Sequence, residues 1–179
     1  MNICVFCSSR SSLSKETFEQ ADLFSEQLVA QGHGFVYGGG NAGLMGHFAD
    51  KVIALNGKSI GVMPEKTFPQ EVAHLGLTEL IYTADMLARK GKMMDISDAF
   101  VMFPGGIGTM DEALEVITWQ TIYKVNKPIV FFNWQGFWDP FLKMLEAYSK
   151  TELFYPETME SFKVVNQVQE IFKEIENAR

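Results

Sequence analysis

The chain has 179 residues with 22 acidic and 15 basic side chains, a formal net charge of −7. An acidic protein of sequence pI ≈ 5.0 is a poor electrostatic partner for nucleic acid or anionic lipid, so neither is an expected partner. Hydrophobic residues at 47% and charged residues at 21% exclude a disordered chain, and no apolar run approaches the ~20 residues of a membrane span.

Strand and helix signals alternate throughout. Residues 2–7 read as a buried strand directly after Met1, without the basic start and small-residue cleavage site of a signal peptide. This strand carries Cys4 and Cys7 in C-x-x-C spacing. Side chains three apart on a strand point to opposite faces, whereas a redox C-x-x-C opens a helix. Reduced core thiols in a cytoplasmic protein are therefore expected. A Ser-rich loop leads to a helix from Lys15, where Phe18, Ala21, Phe24 and Leu28 keep near the 3.6-residue period up to Gly32. Residues 35–37 form a second strand, running into Gly38-Gly39-Gly40-Asn41-Ala42-Gly43 and a helix to about residue 56.

Residues 59–63 make a third strand, cut off by Pro64, and residues 64–77 form a long loop of the kind that is often functional. After a strand at 80–82, Asp85 is the expected N-cap of a helix through Met94. Residues 99–103 are a continuous apolar strand, followed by Pro104-Gly105-Gly106-Ile107-Gly108-Thr109 and a helix from near Met110 to about residue 123. A strand at 128–132, a helix at 137–148, a strand at 162–165 and a helix at 168–178 complete the chain. Repeated β-α units with apolar strands predict an α/β fold: a Rossmann-like parallel sheet with helices on both faces, in a single domain. Ligands in such sheets bind at the carboxyl ends of the strands, where both glycine loops fall.

Gly38-x-Gly40-x-x-Gly43 matches the dinucleotide fingerprint in form. It follows the second strand rather than the first, however, and no clean acidic residue ends the next strand. Glycines that let a helix pack close to the sheet, or a nucleotide-lining loop of another kind, are the competing readings. Gly105-Gly106-Ile107-Gly108-Thr109 is the stronger device. Exposed backbone N–H groups and a helix N-terminus with about half a positive charge make a phosphate cradle that needs no basic patch. No G-K-[ST] follows either loop, so ATP hydrolysis has no support.

Asp111, Glu112 and Glu115 crowd the helix after the cradle. Carboxylates would repel a phosphate, so they face the sugar or simply favour the helix N-terminus. Asp111, Glu115 and Thr118 share one stripe at about 100° per residue, while Glu112 projects to the side. Arg89-Lys90, on the helix capped by Asp85, is either a solvated face or a pair of cations at the same crevice.

Asp85-Met86-Leu87-Ala88-Arg89-Lys90 and Pro104-Gly105-Gly106-Ile107-Gly108-Thr109-Met110-Asp111-Glu112 resemble the Lonely Guy family, whose signatures are D-M-H-x-R-K and P-G-G-x-G-T-x-x-E. Gly38-Gly39-Gly40 with Gly43-Leu44-Met45-Gly46 resembles its second-strand loop, and the likeness runs over nearly the whole chain. The resemblance implies a cytokinin riboside 5′-monophosphate phosphoribohydrolase, which splits the N-glycosidic bond between a purine and ribose 5-phosphate. It assigns Arg89 and Glu112 as the catalytic pair, and Glu71, Lys90, Gly105, Gly106, Gly108, Thr109, Asp111 and Thr118 to nucleotide binding. It further implies a homodimer that needs neither metal nor organic cofactor. Two positions depart from the family pattern. Ser8-Ser9-Arg10 follows Cys7 where the family reads C-G-S-S, and Leu87 stands in place of His.

The chemistry agrees with these assignments, because glycosidic cleavage develops oxocarbenium charge that a carboxylate stabilises. His33, His47 and His74 are scattered without metal-ligand spacing, and no G-x-S-x-G elbow or Schiff-base lysine site is recognisable. Trp119 and Tyr123, four residues apart, pack a core or a dimer face. A non-catalytic nucleotide or cofactor carrier on the same fold remains the alternative, followed by an NAD(P) oxidoreductase.

Overall fold

Strands sandwiched between helices must be apolar on both faces, and five strands here are: β1 (Asn2–Phe6), β2 (Gly34–Tyr37), β3 (Ser59–Pro64), β5 (Ala99–Met102) and β6 (Ile129–Phe132). The flanking β4 (Glu79–Thr83) and β7 (Lys163–Val165) expose side chains, as edge strands do. The computed structural model describes residues 1–65 and 72–178, so Glu71 lies outside the described residues. The strands form one sheet in the order β4-β3-β2-β1-β5-β6-β7, with every pairing parallel. Six α-helices connect them: α1 (Lys15–Ala30), α2 (Gly43–Ala54), α3 (Met86–Ile96), α4 (Ile107–Tyr123), α5 (Asp139–Ser149) and α6 (Val168–Asn177).

The period of two along the strands sorts the helices into layers. Ile3, Val5 and Cys7 join the core beneath α1, α2 and α6, with Phe24, Phe48 and Phe172. Cys4 and Phe6 join the opposite core beneath α3, α4 and α5, with Met93, Val116 and Phe141. The two cysteines are free, buried and on opposite faces of the sheet, as their spacing on a strand requires. Phe24 packs against Phe48, Phe103 and Phe172 with ring centroids 5.1–5.8 Å apart. Each such buried ring contributes about 1.5–3 kcal/mol of transfer free energy.

Helix ends follow local chemistry. Ser14 accepts a hydrogen bond from the Thr17 amide at 3.3 Å to start α1, and Asp85 accepts from the Ala88 amide at 2.8 Å to start α3. α4 begins at Ile107 rather than near Met110, with Gly106 as its N-cap. Gly108 is tolerated there because amides of the first turn have no intrahelical partner to lose.

The strand order decides where a ligand fits. β1 lies between β2 and β5, so the connections leaving β1 and β5 depart toward opposite faces and leave a crevice above their carboxyl ends.

Candidate active site

That crevice is lined by Cys7, Ser8, Ser9 and Arg10 from the β1–α1 loop, Met45 from α2, and Gly106, Ile107, Gly108, Thr109 and Glu112 from α4. Its volume is ≈ 340 Å³. The loop is held at Ser8, whose N–H donates to the Pro104 carbonyl at 3.1 Å and whose carbonyl accepts from Leu44 N–H at 3.1 Å. Gly43, at φ +58, lies against the backbone of Ser9 and Arg10, so closely that a Cβ there would overlap it. The third glycine of the fingerprint thus serves packing between the two loops.

On the other wall, Gly106 caps α4 without any side-chain hydrogen bond. Met110 N–H is the first amide of α4 bonded back, to the Gly106 carbonyl at 3.1 Å. The amides before it meet the cleft at the positive end of the helix. Thr109 is 3% exposed, and among the described residues no hydrogen bond engages its hydroxyl. Gly105 lies in the preceding turn, against the Thr109 side chain.

Arg89 and Glu112 meet at the inner side of the cleft. α3 directs the Arg89 side chain over the carboxyl ends of the strands, where it is 5% exposed. Its Nε donates to the Val62 carbonyl at 3.1 Å, and Nη2 stands 3.7 Å from Glu112 Oε1. The guanidinium occupies the space that a Cβ at residue 38 would take. The first glycine of the fingerprint is therefore the berth of an arginine. A buried guanidinium is tolerated only with its charge answered and its N–H groups bonded, and Glu112 and Val62 do both.

Lys90 goes elsewhere. Its Nζ lies 2.7 Å from Glu115 Oε2 and 3.2 Å from Asp111 Oδ2, on the outer face of α4, beside Thr118 and Trp119. Hydrogen bonding to Glu115, with Asp111 adding to it, holds its ammonium above the ordinary lysine range against the effect of burial. The sequence treats Arg89 and Lys90 as neighbouring cations of one crevice, but in the fold they part around α4. Of the residues assigned to the nucleotide, Gly106, Gly108, Thr109 and Glu112 line the cleft, with Arg89 behind Glu112. Lys90, Asp111 and Thr118 line a separate, shallow depression. Sequence reasoning set the Ser8-Ser9-Arg10 segment near the nucleotide without giving Arg10 a role, and missed Met45 and Ile107 as lining residues. The position of Arg10 just after the first strand was the available signal.

Other reactive groups are accounted for. Burial pushes the Cys4 and Cys7 thiols upward, and the Glu112 carboxylate adds to it, so neither is a ready nucleophile. His47 pairs with Asp22 at 2.9 Å and His74 with Asp50 at 3.0 Å. Among the described residues no group of three His, Cys, Asp or Glu side chains is placed to hold a metal ion, and no helix is long and apolar enough to cross a membrane.

A family model described as "Possible lysine decarboxylase" matches residues 45–175. Those residues contain the Arg89 segment and the whole glycine cradle. The chain belongs to this family, the Lonely Guy family. Its members include a cytokinin riboside 5′-monophosphate phosphoribohydrolase of Arabidopsis thaliana, 34% identical over 176 residues, which cover 98% of this chain and 82% of the relative. A probable enzyme of the same name from Oryza sativa subsp. japonica is 39% identical over 145 residues, 80% of this chain and 65% of the relative. Another from the same plant is 38% identical over 80% of this chain and 60% of its own length. The chain thus spans somewhat less than two thirds of these two rice relatives. In fold, this Lonely Guy chain is similar to the molybdenum cofactor carrier protein of Chlamydomonas reinhardtii, with a TM-score of 0.73 at 19% identity over 99% of this chain and 96% of the other. It is also similar to a molybdenum cofactor binding protein of Rippkaea orientalis, with a TM-score of 0.71 at 17% identity over 98% and 94%.

Proposed function

We propose that this chain hydrolyses the N-glycosidic bond of purine riboside 5′-monophosphates, with AMP or a prenylated adenine (cytokinin) riboside monophosphate as substrate, releasing the free base and ribose 5-phosphate. The observation that carries the reading is the Arg89–Glu112 pair, 3.7 Å apart, at the inner side of a cleft whose outer wall is an uncapped helix N-terminus. The names of the plant relatives support the same reaction.

In the reaction the C1′–N9 bond breaks with its electron pair leaving on the base, and a water oxygen bonds to C1′. Positive charge develops on the ribose as the bond lengthens, and a carboxylate beside C1′ lowers that barrier. Glu112 takes this role and orients the attacking water, accepting its proton as the new bond forms and releasing it through solvent to the departing base, which leaves as neutral purine. Arg89 fixes the Glu112 carboxylate and supplies positive charge as the base departs with its electron pair. The chain acts in the cytoplasm as a homodimer. The exposed apolar side chains of α4, Ile122 and Tyr123 at 60% and 68% exposure, form the face on which a second copy docks.

Incubation with AMP or a cytokinin riboside monophosphate, with free base and ribose 5-phosphate measured, tests the assignment. General acid–base help of this kind is worth about 10²–10⁴ in rate, so Glu112→Gln is expected to lower turnover by at least about 10² in a chain that still folds, with a lower melting temperature because Arg89 loses its counter-charge. Near wild-type adenine release by that variant removes the catalytic assignment. Binding of AMP by the wild type without release makes the chain a carrier instead.

A further inference from the structure

If the substrate is a 5′-monophosphate, an acidic chain must answer a dianion, and Lys90 is committed to Glu115 and Asp111 on the far face of α4. Arg89 is buried behind Glu112 and bonded to Val62. Among the described residues, the remaining cation at the cleft is Arg10. Its backbone is fixed: the Arg10 amide donates to Ser8 Oγ at 3.0 Å, and the loop is wedged between Gly43 and the Pro104 carbonyl. Its guanidinium, by contrast, is held in no ion pair among the described residues.

Across the cleft stand the unbonded amides at the start of α4 and the buried Thr109 hydroxyl. These groups supply hydrogen-bond donors but only a fraction of a charge. A phosphomonoester carries about −1.5 to −2 at pH 7, and a guanidinium matches its oxygens in a bidentate fork. We propose that Arg10 is the phosphate-recognising cation of the cleft, closing on the 5′-phosphate opposite Thr109 and the α4 amides and so selecting nucleotides over nucleosides. The reading rests on the proposed phosphoribohydrolase site and extends it to Arg10, which lies where this chain departs from the family's C-G-S-S loop and to which the resemblance gives no role.

The experiment measures calorimetric binding of ribose 5-phosphate and inorganic phosphate to the wild type, Arg10→Ala and Arg10→Lys, alongside KM and kcat for AMP. A charge-assisted hydrogen bond is worth enough to weaken ribose 5-phosphate binding by about 10- to 100-fold on its loss. Arg10→Ala is expected to show that loss chiefly in KM, with the melting temperature kept and with Arg10→Lys recovering part of the affinity. Ribose 5-phosphate affinity within twofold of wild type in Arg10→Ala overturns the proposal, as does failure of the wild type to bind either anion. If the wild type binds ribose 5-phosphate through Arg10 yet releases no adenine from AMP, the hydrolase reading falls and the phosphate assignment stands.

Discussion

Replacing Gly38 by alanine tests the tie between a backbone glycine and the proposed catalytic pair, Arg89 and Glu112. The new Cβ would overlap Arg89 Nη2 and lie 3.0 Å from Cζ. Ordinary carbon contacts are ~3.5–4.0 Å, so the guanidinium must retreat by about 1 Å or more. Retreat strains or breaks the Nε bond to the Val62 carbonyl, 3.1 Å long, which as a charged hydrogen bond is worth about 1.5–3 kcal/mol. For a chain of this length that corresponds to a melting temperature lower by roughly 3–12 °C. It also shifts the guanidinium relative to Glu112, and a misplacement of about 1 Å in catalytic machinery costs about 10² in rate. Thermal unfolding, adenine release from saturating AMP and ribose 5-phosphate binding, measured on one preparation of Gly38→Ala, separate the possibilities. Lower kcat with phosphate affinity kept is the expected pattern. Intact kcat with lost phosphate affinity would show that Gly38 lines the anion site after all and refute the argument.

Two further outcomes follow from the helices around the site. Asp85→Ala removes the side-chain cap of α3 and is expected to cost about 0.5–2 kcal/mol in urea unfolding. Activity should fall with it, because Arg89 sits in the first turns of that helix, and Asp85→Asn should restore most of both. Lys90 has its pKa raised in the fold by Glu115, so its stabilisation is present in full below the unfolded lysine value of ~10.4 and is lost as pH rises through the higher folded value. Lys90→Met should therefore be less stable than wild type at pH 7–9, with the gap closing at strongly alkaline pH. A gap that persists at every pH would mean that Lys90 contributes through packing rather than charge.

The strands, the alternation of helices and the Asp85 cap were legible in the sequence because each depends on local periodicity or on a side chain reaching three residues along. The start of α4 was misplaced because glycine argues against helix in general but costs little in a first turn. Arg89 and Lys90 could not be separated by inspection. Adjacent helix residues diverge by about 100°, and which one turns inward depends on α4 standing between their side chains. Arg10 was legible as part of a departure from the family's first loop, but not as a cation facing α4. Its place at the cleft arises from β1 pairing with β5, where Ile3 stands opposite Ala99, 96 residues later. The first glycine of the fingerprint shows the limit most plainly. Its spacing matched a dinucleotide fingerprint only in form, and the fold uses it to seat a guanidinium.

The β1–β5 pairing joins two parts of the sheet, β4 to β1 on one side and β5 to β7 on the other. The cleft sits over that seam, with Arg10 and Met45 belonging to one part and Thr109 and Glu112 to the other. Arg89 reaches from α3, packed on β3 and β4, to Glu112 on α4 and acts as a strut between the two sides. Sliding of one part against the other would change the span of the cleft and the length of the strut together. Substrate fit and the geometry of the proposed catalytic pair are in this sense one mechanical coordinate, so a mutation deep in the seam, far from any ligand, should register first as altered turnover.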